Sequence, residues 1–156
     1  MFVFFKEEQF SVDYDKLYKD SNDGTVTQLE ADLIWAKRDS RQELAKWLNW
    51  DESNAYAKAC NAQKYLGYSD WRLPTKSELR GLFKRPEIFQ ELFLASPSKG
   101  KQAVSNYKGG GELSWWTCET RYDTYAWKCY FPSGKELCVD PQVSTTGTSV
   151  RLVRDT

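Results

Sequence analysis

The 156-residue chain contains no histidine and only one methionine. Without histidine it lacks the commonest general base, and with it the Ser-His and Cys-His routes to an activated nucleophile. It also lacks a surplus of either charge: 22 basic and 22 acidic side chains cancel. A strongly basic nucleic-acid footprint is therefore excluded, and nucleic acid is not an expected partner. Long apolar runs are missing too. The run Phe2-Val3-Phe4-Phe5 is too short for the core of a signal peptide and far too short to span a bilayer. No membrane insertion is expected; either the protein is cytoplasmic, or a signal or upstream domain lies outside this sequence. Four cysteines at this length do not define a disulfide scaffold, which leaves the redox compartment open.

Several chemical motifs fail on inspection. There is no phosphate-binding G-x-x-x-x-G-K-[ST], and Gly109-Gly110-Gly111 lacks the following Lys and helix, so it reads as flexible linker. Aligning Gly24 with the glycine of an EF-hand loop puts Lys19 where the first carboxylate must stand. No E-P-N, Q-P-D or W-N-D triplet supports calcium-dependent sugar binding. The pairs Glu7-Glu8 and Asp51-Glu52 are adjacent in sequence, which suits solvated charge or helix-start electrostatics better than an acid/base dyad. The expectation is a protein that is not an enzyme, with no cofactor and no metal.

What the chain has is aromatic side chains, 15% of its residues with seven Trp. Such a density builds a core, and it also builds surfaces that stack on sugars or bind proteins. The length suits one domain. Charge is unevenly spread: residues 1–60 carry 8 basic and 12 acidic side chains, residues 61–156 carry 14 and 10.

Residues 1–22 read as an N-terminal extension, whether a tail, an added strand or part of a neighbouring module, ahead of a domain over 23–156. Asp23-Gly24 opens a hairpin that returns through Leu33–Lys37. Residues 38–49 read as a polar connection. Asn49 with Glu52 forms a capping-box pattern opening a helix over about 50–65, and Gly67 suits its C-terminal end. Pro74 forces an extended corner, and Thr75 with Glu78 caps a second helix whose apolar stripe is Leu79, Leu82 and Phe83. Pro86 starts a short helical turn through Phe93. Residues 95–111 read as loop. Strands are expected at about 114–119, 125–131, 136–139 and 149–154.

If Asp123-Thr124 and Ser133-Gly134 centre regular turns, Cys118, Cys129 and Cys138 line up across three adjacent strands on one face. Trp116, Trp127 and Phe131 share that face by parity and are assigned to the core. Three small buried hydrophobes is the plain reading; one cross-strand disulfide with a free third thiol is the alternative. Zinc would want a fourth ligand. Parity turns Trp115 the other way, which makes it a candidate ligand-facing aromatic.

Two regions could meet a ligand. The loop between Leu92 and Gly111 has no acidic residue but carries Lys99, Lys101 and Lys108, suiting a sulfated or otherwise anionic polymer. The hairpin tip near 119–128 offers Arg121, Tyr122, Tyr125 and Lys128, a mixture suited to sugar or protein recognition.

The segment Gly67-Tyr68-Ser69-Asp70-Trp71-Arg72-Leu73-Pro74-Thr75, together with D-G-T-V-T…L-I-W-A-K, W-W-T-C, Y-A-W-K-C-Y-F-P-S-G and the terminal V-R-L-V-R, resembles the Lcl C-terminal-like domains of bacterial surface proteins and adhesins. The resemblance covers about residues 20–156. Cys118 and Cys129 depart from it, standing where Ser and Val are usual. It implies an α+β, C-type-lectin-like fold, with two main helices on antiparallel sheet and adjacent N- and C-terminal strands. It also implies a non-enzymatic, extracellular or surface binding module for carbohydrate or anionic polymer. A protein-receptor display domain, able to assemble as a trimer, is the alternative implication. Within the signature, Trp71 and Arg72 read as structural: Trp71 as core, Arg72 as partner to a carboxylate or carbonyl.

Overall fold

The computed structural model describes residues 16–95, 113–142 and 147–156. Their strands form two four-stranded sheets. The first runs β1 (Tyr18–Asp20), β2 (Thr25–Gln28), β3 (Leu33–Ala36) and then the last strand, β8 (Val153–Asp155), antiparallel throughout. The second has the order β6 (Glu136–Val139), β5 (Tyr125–Phe131), β4 (Leu113–Arg121), β7 (Thr148–Ser149), with β7 parallel to β4. Between β3 and β4 come α1 (Ser40–Leu44), α2 (Trp50–Ala62), a 3-10 turn at Tyr65–Gly67 and α3 (Lys76–Phe83). Pro86–Phe89, α4, continues as a π-helical turn over Gln90–Leu94. The class is α+β, as expected, but several short helices stand where two main ones were expected.

One further departure concerns the ends. β8 pairs with β3, while β1 lies at the opposite edge of the sheet, so the first and last described strands are not neighbours. Residues 18–20 supply that edge strand, so part of the N-terminal segment takes the added-strand form, one of its three readings. The turn into β2 explains why: Asp23 accepts hydrogen bonds from the Thr25 amide at 3.0 Å and its hydroxyl at 2.6 Å. Gly24 sits at φ +92°, and a Cβ there would come within 2.6 Å of Leu66. Only glycine closes that turn without displacing Leu66.

Three helices start on full capping boxes: Asp39 with Gln42, Asn49 with Glu52, and Thr75 with Glu78. The last two match the sequence reading. The first lies inside the supposed polar connection, and its residues are buried: Ser40, Arg41 and Gln42 each lie below a tenth exposed.

The second sheet is covered on both faces, and this decides the fate of its aromatics. Trp115 packs into one cluster with Trp35, Phe83, Phe89 and Phe131, and Trp116 into another with Ala57, Trp71 and Leu152. Ring centres of Phe89 and Phe131 lie 4.7 Å apart, and those of Phe83 and Trp115 5.5 Å. Parity does separate the two tryptophans, but Trp115 is only 1% exposed because α3 and α4 cover its side. It is a core residue and not a ligand-facing one.

A buried ion pair joins the layers. Arg151 and Asp39 meet at 3.4 Å, with side chains 1% and 0% exposed. The same Asp39 oxygen accepts from the Trp115 indole N–H at 3.0 Å and the Ser149 hydroxyl at 3.3 Å, while the other caps the Gln42 amide at 2.8 Å. Arg151 also donates to the carbonyls of Ala36 and Lys37, and its guanidinium lies 4.8 Å from the Phe93 ring centre. Gln42 in turn donates to the Phe93 carbonyl at 2.9 Å. One carboxylate thus fixes α1, β4 and the segment between β7 and β8 together, and its burial is tolerable because its charge is paired and hydrogen-bonded.

The signature segment pins the C-terminal strand. Arg72 and Val153 exchange backbone hydrogen bonds at 2.9 and 3.0 Å. The Arg72 guanidinium is bidentate to Glu78, 2.8 Å for each contact, and reaches Asp155 at 3.1 Å. Trp71 is 3% exposed and donates its indole N–H to the Tyr65 carbonyl at 2.8 Å. Arg154 pairs with Asp70 at 2.7 Å and lies 3.9 Å from the Tyr68 ring centre.

Candidate functional site

The row of three thiols does not form. Arg121 pairs with Tyr125, so Tyr122, Asp123 and Thr124 make the turn, and a bulge between Trp116 and Thr120 then shifts the register so that Cys129 faces Trp115. On the other side, Cys129 faces Glu136 and Cys138 faces Trp127. A bulge adds residues to one strand only, which breaks the mirror arithmetic of a regular hairpin. Cys129 is buried, Cys118 exposed and Cys138 half-buried, and all are free thiols. Burial, reinforced by the Glu136 carboxylate, pushes the Cys129 thiol up to about 12. Burial also raises Cys60, and partial desolvation with help from Glu119 raises the more exposed Cys118. A reactive thiolate needs the opposite displacement.

The same register builds the hairpin tip. Tyr122 and Asp123 occupy left-handed backbone at φ +56° and +54°, and the Thr124 amide donates to the Arg121 carbonyl at 3.1 Å. The Thr124 hydroxyl donates to the Tyr122 carbonyl at 3.0 Å. The turn is therefore hydrogen-bonded on itself and lifts Tyr122 out to 76% exposure. The Arg121 guanidinium lies 5.0 Å from the Tyr122 ring centre, a contact worth about 0.5–1 kcal/mol at an exposed site. Tyr125, opposite Arg121, is 45% exposed. Three candidates from the sequence, Arg121, Tyr122 and Tyr125, are thus brought together.

Others are not. Lys128 is buried, donates to the Thr148 hydroxyl at 3.2 Å and lies 5.3 Å from the Tyr130 ring centre and 5.5 Å from that of Trp116. It is an internal prop of the sheet, because even-numbered β5 residues turn towards the second core cluster. Lys99, Lys101 and Lys108 lie outside the described residues. Trp127, assigned by sequence to the core, is half-buried, with the Lys76 ammonium 3.9 Å from its ring centre. It shares a strand face with Tyr125, extending the aromatic surface inward from the tip. Spacing of two from Tyr125 was the available signal; the assumption of a covered face hid it.

Among the described residues no group of three or more His, Cys, Asp or Glu side chains could hold a metal ion. No described helix is long and apolar enough to cross a membrane. The Lcl C-terminal domain family matches residues 24–154. The chain belongs to that family. No curated protein matches it.

Proposed function

We propose that the chain is a non-enzymatic binding module that recognises carbohydrate or a sulfated or anionic polymer, in the manner of an adhesin. The observation that carries this reading is the hairpin tip, where exposed Tyr122, the Arg121 guanidinium beside its ring and exposed Tyr125 share one turn. An aromatic ring offers a stacking surface at small entropic cost, and the guanidinium offers bidentate bonds to sulfate or carboxylate. Lys99, Lys101 and Lys108, outside the described residues, are the chain's further source of positive charge for such a polymer. We read the α+β frame as a C-type-lectin-like one, with β4, β5 and their turn as its ligand-bearing side.

The test is retention on an immobilised sulfated glycosaminoglycan across a salt gradient. Steep salt dependence, reduced by Arg121→Gln and by neutralising the three lysines, supports the reading, because each released counterion steepens the response to salt. The exposed tyrosine pair also favours a second reading, a protein-receptor display domain. Salt-insensitive capture of a protein receptor, lost in Tyr122→Ala or Tyr125→Ala, would select that alternative.

A further inference from the structure

Away from the hairpin tip, a cleft of about 160 Å³ opens between the β1–β2 edge and the end of α3, among Tyr18, Gln28, Glu30, Gly81, Lys84 and Arg85. Gly81 lies inside a helix, where glycine is among the weakest formers. A Cβ there would meet only Gln28 Nε2, at an ordinary 3.6 Å. Packing therefore admits alanine, and the missing methyl instead keeps the cleft open.

Gln28 is held in one orientation, since its Oε1 accepts the Trp35 indole N–H at 2.9 Å. Its Nε2 is then a fixed donor on the Gly81 side. Lys84 and Arg85 stand at the mouth and form no ion pair among the described residues. Cations suit the C-terminal end of a helix, which accounts for their sign but not for the glycine or the oriented amide. Tyr18 is buried, and burial together with the Glu30 carboxylate pushes its phenol up to about 12, so it is a hydrogen-bond donor at neutral pH. Glu30 is the one acid of the lining.

The polar part of the lining is therefore four donors, two of them cationic, faced by a single carboxylate, with Leu17 and Gly81 completing the wall. We propose that this cleft binds a small carboxylate whose neighbouring carbon carries a hydrogen-bond donor, an α-hydroxy or α-amino acid. The ligand carboxylate meets Arg85, Lys84 and the Gln28 amide, and its hydroxyl or ammonium meets Glu30. Glu30 disfavours dianions, and the volume, below the roughly 300–1,000 Å³ of drug-sized sites, limits the ligand to one such unit.

The experiment is an NMR titration of the 15N-labelled full chain with lactate, glycine and acetate in turn. Lactate or glycine should shift the Gln28 side-chain amide and the Gly81 amide saturably, with a Kd of about 1 mM for so few atoms. Acetate, lacking the donor, should bind at least about tenfold more weakly, one lost hydrogen bond's worth. Saturation should be weakened in Gly81→Ala, whose methyl stands 3.6 Å from Gln28 Nε2 and crowds that donor, and lost in Arg85→Gln, which alters only an exposed side chain. Whichever of lactate and glycine saturates identifies the donor. The absence of a saturable shift with either probe, acetate binding as tightly as both, or undiminished binding in both variants would overturn the proposal.

Discussion

Replacing Asp39 with alanine removes a carboxylate that serves four partners at once. The Gln42 amide loses its cap, and such losses cost about 0.5–2 kcal/mol. Arg151, 1% exposed, loses the counter-charge it pairs with; removing one partner of a buried pair costs about 3–5 kcal/mol. The Trp115 indole and Ser149 hydroxyl lose their acceptor as well. These terms share one side chain and do not add, so a total of about 4 kcal/mol is expected. With an m-value of about 2 kcal/mol/M, the urea midpoint read by tryptophan fluorescence should fall by about 2 M. Asp39→Asn, which retains the shape and part of the cap, should lose less. Arg151→Met removes the buried charge but leaves the Ala36 and Lys37 carbonyls without that donor. The double variant Asp39→Ala/Arg151→Met should then be more stable than the sum of the single losses implies, by at least about 1 kcal/mol. A midpoint shift for Asp39→Ala below about 0.5 M, or strictly additive losses, would refute the view that this pair holds the layers together.

Gly81→Ala should raise stability by about 0.5–1 kcal/mol in chemical denaturation, since the helix gains propensity and the new methyl meets Gln28 without a clash; destabilisation would contradict the packing described. Burial pushes the Glu78 carboxyl up, but the bidentate Arg72 contact and the Thr75 cap outweigh this and hold it below its ordinary range. A depressed folded-state value gives stability that is fully present above the unfolded-state value of 4.5 and is lost as pH falls through the folded one. Glu78→Gln should therefore flatten acid unfolding below about pH 4, and an unchanged acid limb would contradict it. In the folded, reduced protein a thiol reagent should label Cys118 first and Cys138 next, with Cys60 and Cys129 protected until unfolding; mass mapping that finds Cys129 first would reverse the register assigned to β4 and β5.

The local grammar of this chain was legible and its long-range geometry was not. Asn49 with Glu52 and Thr75 with Glu78 announce their helices because a capping box is complete within four residues. Asp39 with Gln42 spells the same pattern, yet only a five-residue helix follows, with a polar buried face that no apolar stripe betrays. Alternation separated Trp115 from Trp116, but whether a face is wet depends on elements distant in sequence, here α3 and α4 against one and Trp71 with α2 against the other. The bulge between Trp116 and Thr120 carries no glycine or proline, so turn-centred arithmetic misplaced Cys118. A turn centred on Asp123-Thr124 pairs Tyr122 with Tyr125, whereas Arg121 stands opposite Tyr125, so the register is already one residue off at the tip. Lys128 failed as a site residue because its long side chain turns inward to Thr148, a partner twenty positions away.

The most direct test of the hairpin tip as a recognition surface is a glycan array run beside a receptor pull-down, with wild type and Arg121→Gln/Tyr122→Ala compared on both. These side chains are exposed at the turn, so the variant should keep the wild-type melting temperature while losing its captured ligands by about tenfold or more, as when a central aromatic or arginine contact is removed. Undiminished binding by the stable variant to every ligand the wild type captures would contradict the account and move recognition away from β4 and β5.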